Sequence, residues 1–161
     1  MEAKQDKPNM NVFSYAYIKR ARFRFMITLP TILMMVIPAF ILDIMATLYQ
    51  YINFKAYEIP LVNRKKYIII DRHALQYLNF MEKFYCIYYG YFNGVMQYVS
   101  EIAVRTEEFW CPIKHAQKVG FEHKRYSNYL EYGDSTDYHA KWKQIRLKMR
   151  RELSEEQNLP D

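Results

Sequence analysis

The most constraining feature of this chain is an apolar segment from Phe25 to Tyr51, FMITLPTILMMVIPAFILDIMATLYQY, whose only formal charge is Asp43. A helix needs about 20 predominantly apolar residues to cross roughly 30 Å of hydrocarbon, and this segment is long enough. We therefore predict that residues 25–54 form a membrane helix or a re-entrant hairpin. Pro30 and Pro38 each lack a backbone donor, so the helix should bend near one or both of them.

Asp43 would cost a few kcal/mol if it were ionised at mid-membrane, so it should face protein, a watery cavity or the interface. One interpretation is a proton or cation site. The other is a carboxylate that lies near the far interface or pairs with a neighbouring subunit. No second charge lies in the segment to complete a proton relay, which favours the second interpretation.

Residues 1–24 are predicted to form a basic amphipathic segment, and its cations place this end in the cytoplasm under the positive-inside rule. The apolar segment begins too late and is too long for a cleaved signal peptide, which favours an uncleaved anchor. The prediction is therefore a membrane-anchored protein, with most soluble segments cytoplasmic and both cysteines reduced. The cations directly before the apolar segment are Lys19, Arg20, Arg22 and Arg24.

The topology of the rest of the membrane part stays open at this point. Residues 55–73 are predicted as a connector with a short strand-like run, Tyr67–Ile70, and residues 74–110 as an aromatic helix capped by Asp71. This helix is a second candidate membrane element, because 17 uncharged residues separate Lys83 from Glu101. Two spans would place the basic connector outside, against the positive-inside rule, whereas a re-entrant hairpin or a single span avoids that conflict.

Residues 111–161 are predicted to form a cytoplasmic, basic, helical tail. Pro112 should end the preceding helix after Trp110, because a residue before proline avoids the α region. A turn is expected at Gly133–Asp134, followed by a charged amphipathic helix over 138–157 that would lie on anionic lipid or pack on a partner. Its expected apolar face comprises Trp142, Ile145, Met149 and Leu153.

The fold class that these patterns predict is all-α: a membrane-anchored helical protein with one or two membrane helices, the first bent at proline, and a helical tail. Sixteen Tyr and ten Phe are typical of interfacial belts or subunit contacts. The expected partners are therefore the lipid bilayer and a larger membrane protein complex or further copies of the chain. The net charge of +6 comes with no base-reading motif, which argues against nucleic acid as a partner.

No nucleotide-binding, nucleophile-elbow or zinc-protease motif occurs in the sequence, and no catalytic residue is identified. Carboxylates on helices together with a histidine are nevertheless the ingredients of a helical metal site, although the paired Glu-x-x-His motif is missing. Arg105 follows Glu101 by four residues, the favourable order for a helical ion pair. No cofactor is expected on the simpler interpretation, and a transition metal ion is the alternative. The candidate ligands are Glu82, Cys86, Glu101 and His115.

One stretch of the chain resembles a family of small, uncharacterised bacterial inner-membrane proteins. The matching residues are Tyr77–Leu78–Asn79, Glu82–Lys83, Cys86, Asn93–Gly94, Glu101–Ile102, Arg105–Thr106–Glu107 and Trp110–Cys111–Pro112–Ile113–Lys114–His115–Ala116. The resemblance implies an inner-membrane location and carries no activity or functional residue with it. The function predicted overall is a small accessory or structural subunit of a membrane complex. The alternative is a membrane-bound enzyme or metal-binding protein that uses the Glu/Cys/His set.

Overall fold

The computed structural model describes residues 28–158, and three long helices dominate them. We number these helices α1, Val36–Ala56, α2, Phe80–Trp110, and α3, Tyr138–Asn158. Residues 28–34 are also helical and lead into α1. The described part contains no strand, and its one isolated bridge joins Ile113 to Leu130. The prediction of an all-α fold is confirmed.

Helical hydrogen bonding in the apolar helix is interrupted at Met35, close to Pro38, one of the two positions at which the sequence predicts a bend. Pro38 explains the position, because it has no N–H for the carbonyl of Met34 and its ring crowds that oxygen. Regular bonding resumes when the Ala39 N–H donates to the Met35 carbonyl at 3.3 Å. Pro30 lies within the helical residues 28–34 and causes no interruption.

The start of α2 corrects the sequence prediction. Asp71 does not cap this helix but precedes a single 3-10 turn, Arg72–Ala74. The cap is Asn79, whose side chain accepts the Glu82 N–H at 2.9 Å while the Glu82 carboxylate accepts the Asn79 N–H at 2.8 Å. This reciprocal capping box satisfies two of the donors that a helix start leaves unpaired, an advantage that Asp71 lacks.

The connector, residues 57–79, runs back along both helices, so α1 and α2 run in the same general direction. Along its length it contacts Arg105 through Pro60, then Asp43 through Arg64, and then the glycine face of α2. The backbone of Tyr67–Ile70 packs on Gly90 and Gly94, which lie one helical turn apart. The run predicted as strand-like is not a strand: Tyr67 has helical backbone angles at the end of the 3-10 turn Arg64–Lys66, and residues 68–70 have no regular secondary structure.

The C-terminal part confirms three sequence predictions. Helix α2 ends at Trp110, before Cys111–Pro112, and Gly133 adopts a positive φ of 82° at the predicted turn. Helix α3 begins at the predicted Tyr138 and ends one residue beyond the predicted end. Its apolar face packs on the chain's own core rather than on lipid or a partner, since Met149 and Leu153 are fully buried there.

Side chains of α3 also cap the C-terminal end of α2. Trp142 Nε1 and Arg146 Nε both donate to the Phe109 carbonyl, at 3.1 and 2.8 Å. The Arg146 guanidinium lies 3.7 Å from the ring centroids of Phe109 and Trp142. The last turn of a helix leaves carbonyl oxygens without intrahelical partners, and a cation is favourable beside them. The contacts of Arg146 therefore fasten α3 to α2.

Candidate functional site

The most distinctive surface of the described molecule is the apolar side of α1, which no other part of residues 28–158 covers. Only a narrow stripe of α1 is buried, comprising Ala39, Asp43, Ala46, Gln50 and Phe54. The other large apolar side chains are exposed, most of them by half or more. We call this surface the α1 apolar face, and its members are Met34, Met35, Ile37, Phe40, Ile41, Leu42, Ile44, Met45, Leu48, Tyr49, Tyr51 and Ile52.

Within the described residues, one helix is long and apolar enough to cross a membrane, the 29-residue stretch Thr28–Ala56. Helix α2, the core of the predicted second membrane element, does not reach that combination of length and hydropathy. Contiguous apolar surface of this extent on a single chain usually marks a contact with lipid or with another protein. The α1 apolar face is therefore the candidate functional surface.

Asp43 lies on the buried side of α1 and is held by a partner within the same chain. Arg64 donates to both carboxylate oxygens, from Nε at 2.9 Å and from Nη2 at 2.6 Å, and the Tyr91 hydroxyl adds a third bond at 3.1 Å. This two-point geometry is the strongest that arginine offers a carboxylate. The partner that the sequence led us to seek at the interface or on another subunit is therefore Arg64 of the connector.

Two turns further along α1, a second polar group is buried, and this one carries no formal charge. Gln50 donates to the hydroxyl of Tyr98 and accepts the Val62 N–H at 2.9 Å. The Tyr98 hydroxyl also lies 3.2 Å from Thr47 Oγ1. Burial raises the pKa of Tyr98, so the phenol stays neutral. Every polar group in this network has a partner, which is what a buried amide and phenol require.

The connector gives the helix pair a polar side opposite the α1 apolar face. Arg64 reaches Asp43 on the buried stripe, and Arg64–Lys66 and Asp71–His73 are exposed. Asp43 lies about 22 Å along the helix from Thr28, so this charged segment runs beside the middle of Thr28–Ala56. If hydrocarbon surrounded this helix on all sides, it would also surround the charges of the connector. Contact with hydrocarbon is therefore favourable on the apolar face only.

A buried ionic cluster lies at the other end of α2. Glu108 is 1% exposed and accepts a charged hydrogen bond from Arg125 Nε, while Arg125 Nη2 donates to Glu152 on α3 at 3.2 Å. Asn128 Nδ2 adds a bond to Glu108 at 3.4 Å. The cluster ties α2, the loop 111–137 and α3 together. Glu108 and Arg125 are 17 residues apart, and nothing in the sequence marks them as partners.

His123 and Tyr129 lie beside this cluster. The imidazole nitrogens of His123 make no hydrogen bond to any residue between 28 and 158, although Nε2 is 3.8 Å from a Glu107 carboxylate oxygen. Burial raises the pKa of the Tyr129 phenol, and the nearby carboxylates of Glu107 and Glu108 raise it further. The neutral phenol therefore persists at any physiological pH.

The structure does not bring the four candidate metal ligands together. Glu82 belongs to the capping box of α2, and Glu101 bonds Arg105 Nε at 2.8 Å, as the sequence spacing predicted. These two carboxylates are 19 residues apart on one helix, which is about 28 Å. Cys86 lies one turn after Glu82, and His115 lies beyond the end of α2, stacked on Tyr126. Across residues 28–158, no three His, Cys, Asp or Glu side chains converge as a metal site would require.

Both cysteines are free thiols, as the sequence led us to expect. Cys86 is half-buried within α2, and Cys111 is exposed where α2 ends. The 25 residues between them span about 37 Å of helix, far beyond the reach of a disulfide within one chain.

No protein-family model, curated protein or solved structure matches this chain. The resemblance of Tyr77–Ala116 to small bacterial inner-membrane proteins therefore stays a prediction from the sequence.

The Asp43–Arg64 pair gives a testable prediction about the connector. Replacing Asp43 by asparagine leaves Arg64 without its charged partner. Because Arg64 is 44% exposed, we expect a local loss of only about 1 kcal/mol. The connector should then open more often, and trypsin should cleave after Arg64, Lys65 and Lys66 about fivefold faster. The matched control is Asp71→Asn in the same connector, which should leave this cleavage rate unchanged. Equal cleavage rates for the two variants would contradict the role of the pair.

Proposed function

We propose that this protein is a small accessory or structural subunit of a larger membrane protein complex, and that it associates with the membrane through the α1 apolar face. The observation that carries this proposal is the exposure of that face. Ile44, Met45 and Leu48 at its centre are 53%, 63% and 59% exposed. A protein surrounded only by water would be poorly soluble if it exposed such an apolar surface.

A complex fits better than a lone anchor because the exposed apolar surface is not confined to α1. The start of α2 adds Phe80, Met81, Phe84, Ile87 and Tyr89, and Phe80 is 81% exposed. Aromatic and methionine side chains are enriched in protein interfaces, where they supply contact area. The connector meanwhile keeps charges beside the same helices. A partner can cover an apolar patch next to such charges more readily than hydrocarbon can.

No arrangement of side chains in the described residues favours an enzyme or a metal carrier. The carboxylates that such a function would use are engaged elsewhere, Glu82 in a helix cap and Glu101 with Arg105. We therefore propose an assembly role for the protein rather than a catalytic one.

The test of this function compares two variants that make the same chemical change at different places. Ile44→Ser combined with Leu48→Ser removes apolar side chains from the centre of the α1 apolar face. Leu147→Ser changes an equally exposed leucine on α3. The wild type and Leu147→Ser should sediment with membranes and co-purify in mild detergent with a larger membrane protein in fixed ratio. The double variant should lose most of that association.

The result that would overturn the proposal is equally specific. A wild-type protein that stays monomeric and soluble without detergent would remove the membrane association. A wild-type protein that purifies from membranes only as copies of itself would remove the accessory-subunit role. Circular dichroism of each variant checks that its helices are intact.

A further inference from the structure

A groove lies beside the C-terminal half of α1, where the connector and the end of α3 meet it. Its volume is about 430 Å³, and its walls include Thr47 and Tyr51 from α1, Asn63, Arg64 and Lys65 from the connector, and Gln157 from α3. Gln50 and Tyr98 form its floor. The groove thus has a neutral, hydrogen-bonded floor and a cationic wall.

The cations of that wall have hydrogen-bond donors that no described residue engages. Arg64 uses Nε and Nη2 to hold Asp43, and its Nη1 makes no hydrogen bond to the described chain. Lys65 is exposed, and its ammonium group has no partner in residues 28–158. Asp43 offsets the charge of Arg64, so the net positive charge comes from Lys65. The anchored guanidinium supplies a donor of fixed position. Fixed guanidinium donors beside an ammonium are typical of sites for phosphate oxygens.

The groove also adjoins a track of apolar side chains. Ile37, Ile44, Leu48 and Tyr51 recur at helical spacing along one flank of the α1 apolar face, and Tyr51 belongs to the groove as well. From Ile37 to Leu48 the track is about 16 Å long, close to half the roughly 30 Å thickness of bilayer hydrocarbon. One acyl chain of one leaflet can lie along this track and end at the groove.

We propose that the groove binds the phosphate headgroup of an anionic phospholipid, with Arg64 Nη1 and Lys65 Nζ as donors and an acyl chain along the track. Charge complementarity selects the headgroup, and the adjoining apolar track selects a lipid over a free anion. This inference rests on the proposed membrane association and adds a lipid preference to it. It requires an orientation of α1 that brings the groove to the level of the headgroups, because Arg64 binds Asp43 near the middle of Thr28–Ala56 and a phosphate does not enter the hydrocarbon.

The experiment is flotation of the purified full chain with two kinds of vesicle, phosphatidylcholine alone and phosphatidylcholine mixed with phosphatidylglycerol. The test variant is Lys65→Glu, and the control is Lys118→Glu, an exposed lysine that lines no part of the groove. Reversing a charge at the site should weaken binding to the anionic vesicles about 25-fold for Lys65→Glu. Lys118→Glu should bind like the wild type. Lys65→Gln, a milder change, should weaken binding about fivefold.

Each outcome decides something different. Equal losses for Lys65→Glu and Lys118→Glu would mean diffuse attraction by net charge and would overturn the site. Displacement of the vesicles by inorganic phosphate at matched ionic strength would mean a site for a small anion and would overturn the lipid. Equal wild-type binding to both vesicles would support the proposed membrane association and would overturn the proposed headgroup site in the groove. Binding to neither vesicle would remove both.

Discussion

Replacing Glu108 by alanine should lower the free energy of unfolding by about 3–5 kcal/mol, because it leaves Arg125 as an uncompensated charge in a buried position. Glu108 is 1% exposed, and the Arg125 side chain is 12% exposed. The remaining carboxylate, Glu152, is 37% exposed and is shared between Arg125 Nη2 at 3.2 Å and Lys148 Nζ at 3.6 Å. For a chain of this size the loss corresponds to a fall of roughly 6–20 °C in the thermal midpoint, measured by circular dichroism in detergent.

The control for Glu108 is Glu131→Ala, which removes the same side chain from an exposed pair with Lys114. Exposed pairs contribute little, so the thermal midpoint of this variant should barely change. A second variant that also replaces Arg125 by methionine should recover part of the stability lost by Glu108→Ala, since it removes the orphaned charge. A midpoint for Glu108→Ala equal to that of Glu131→Ala would show that the cluster does not hold α2 to the loop.

Replacing Gly94 by valine should be the next most damaging change, with a loss of about 2–3 kcal/mol from overpacking. A Cβ at this position would lie 2.7 Å from the Tyr67 carbonyl oxygen and 2.9 Å from the Ile68 Cα. Both atoms are backbone, so the connector itself would have to move. The gain in helix propensity on leaving glycine is under 1 kcal/mol and does not offset the clash.

The control for Gly94 is Gly120→Val, because no atom lies within 4 Å of a Cβ placed at Gly120. Thermal unfolding should separate the two variants by roughly 4–12 °C. Limited proteolysis should show faster cleavage in the connector of Gly94→Val alone. If both glycines tolerate valine equally, the connector does not pack on α2 as described.

The parts of this fold that the sequence predicted are those governed by local chemistry. Pro112 ended α2 and Tyr138 began α3 as expected, and Glu101 found Arg105 one turn away. The start of α2 also depends on local chemistry, because Asn79 and Glu82 have the spacing of a capping box, yet the sequence analysis places the cap at Asp71. The capping box is the stronger signal, because it pairs two backbone donors reciprocally and a lone acidic residue does not.

The parts that escaped prediction depend on contacts between distant residues. The partner of Asp43 is 21 residues away, and only the return path of the connector brings Arg64 to it. Gly90 and Gly94 both lie in the stretch that the sequence presents as a second candidate membrane element. Their spacing of four is, in addition, a known signal for close backbone approach, and here the approaching backbone is the connector. The groove beside α1 needs three separate segments, and no pattern in one segment indicates it.

The way α3 holds the connector has a consequence for how the chain is made. Arg150 Nη2 donates to the Tyr57 carbonyl and Gln157 Nε2 to the Leu61 carbonyl, across 93 and 96 residues of sequence. At a synthesis rate of roughly 5–20 residues per second, about 5–20 s pass between the synthesis of α1 and the point at which these contacts can form. During that interval its apolar face is fully exposed, while the segments that will cover its polar stripe are still being translated. On the proposed membrane association, delivery of α1 to a membrane would precede the folding of the later segments, which would be completed upon it.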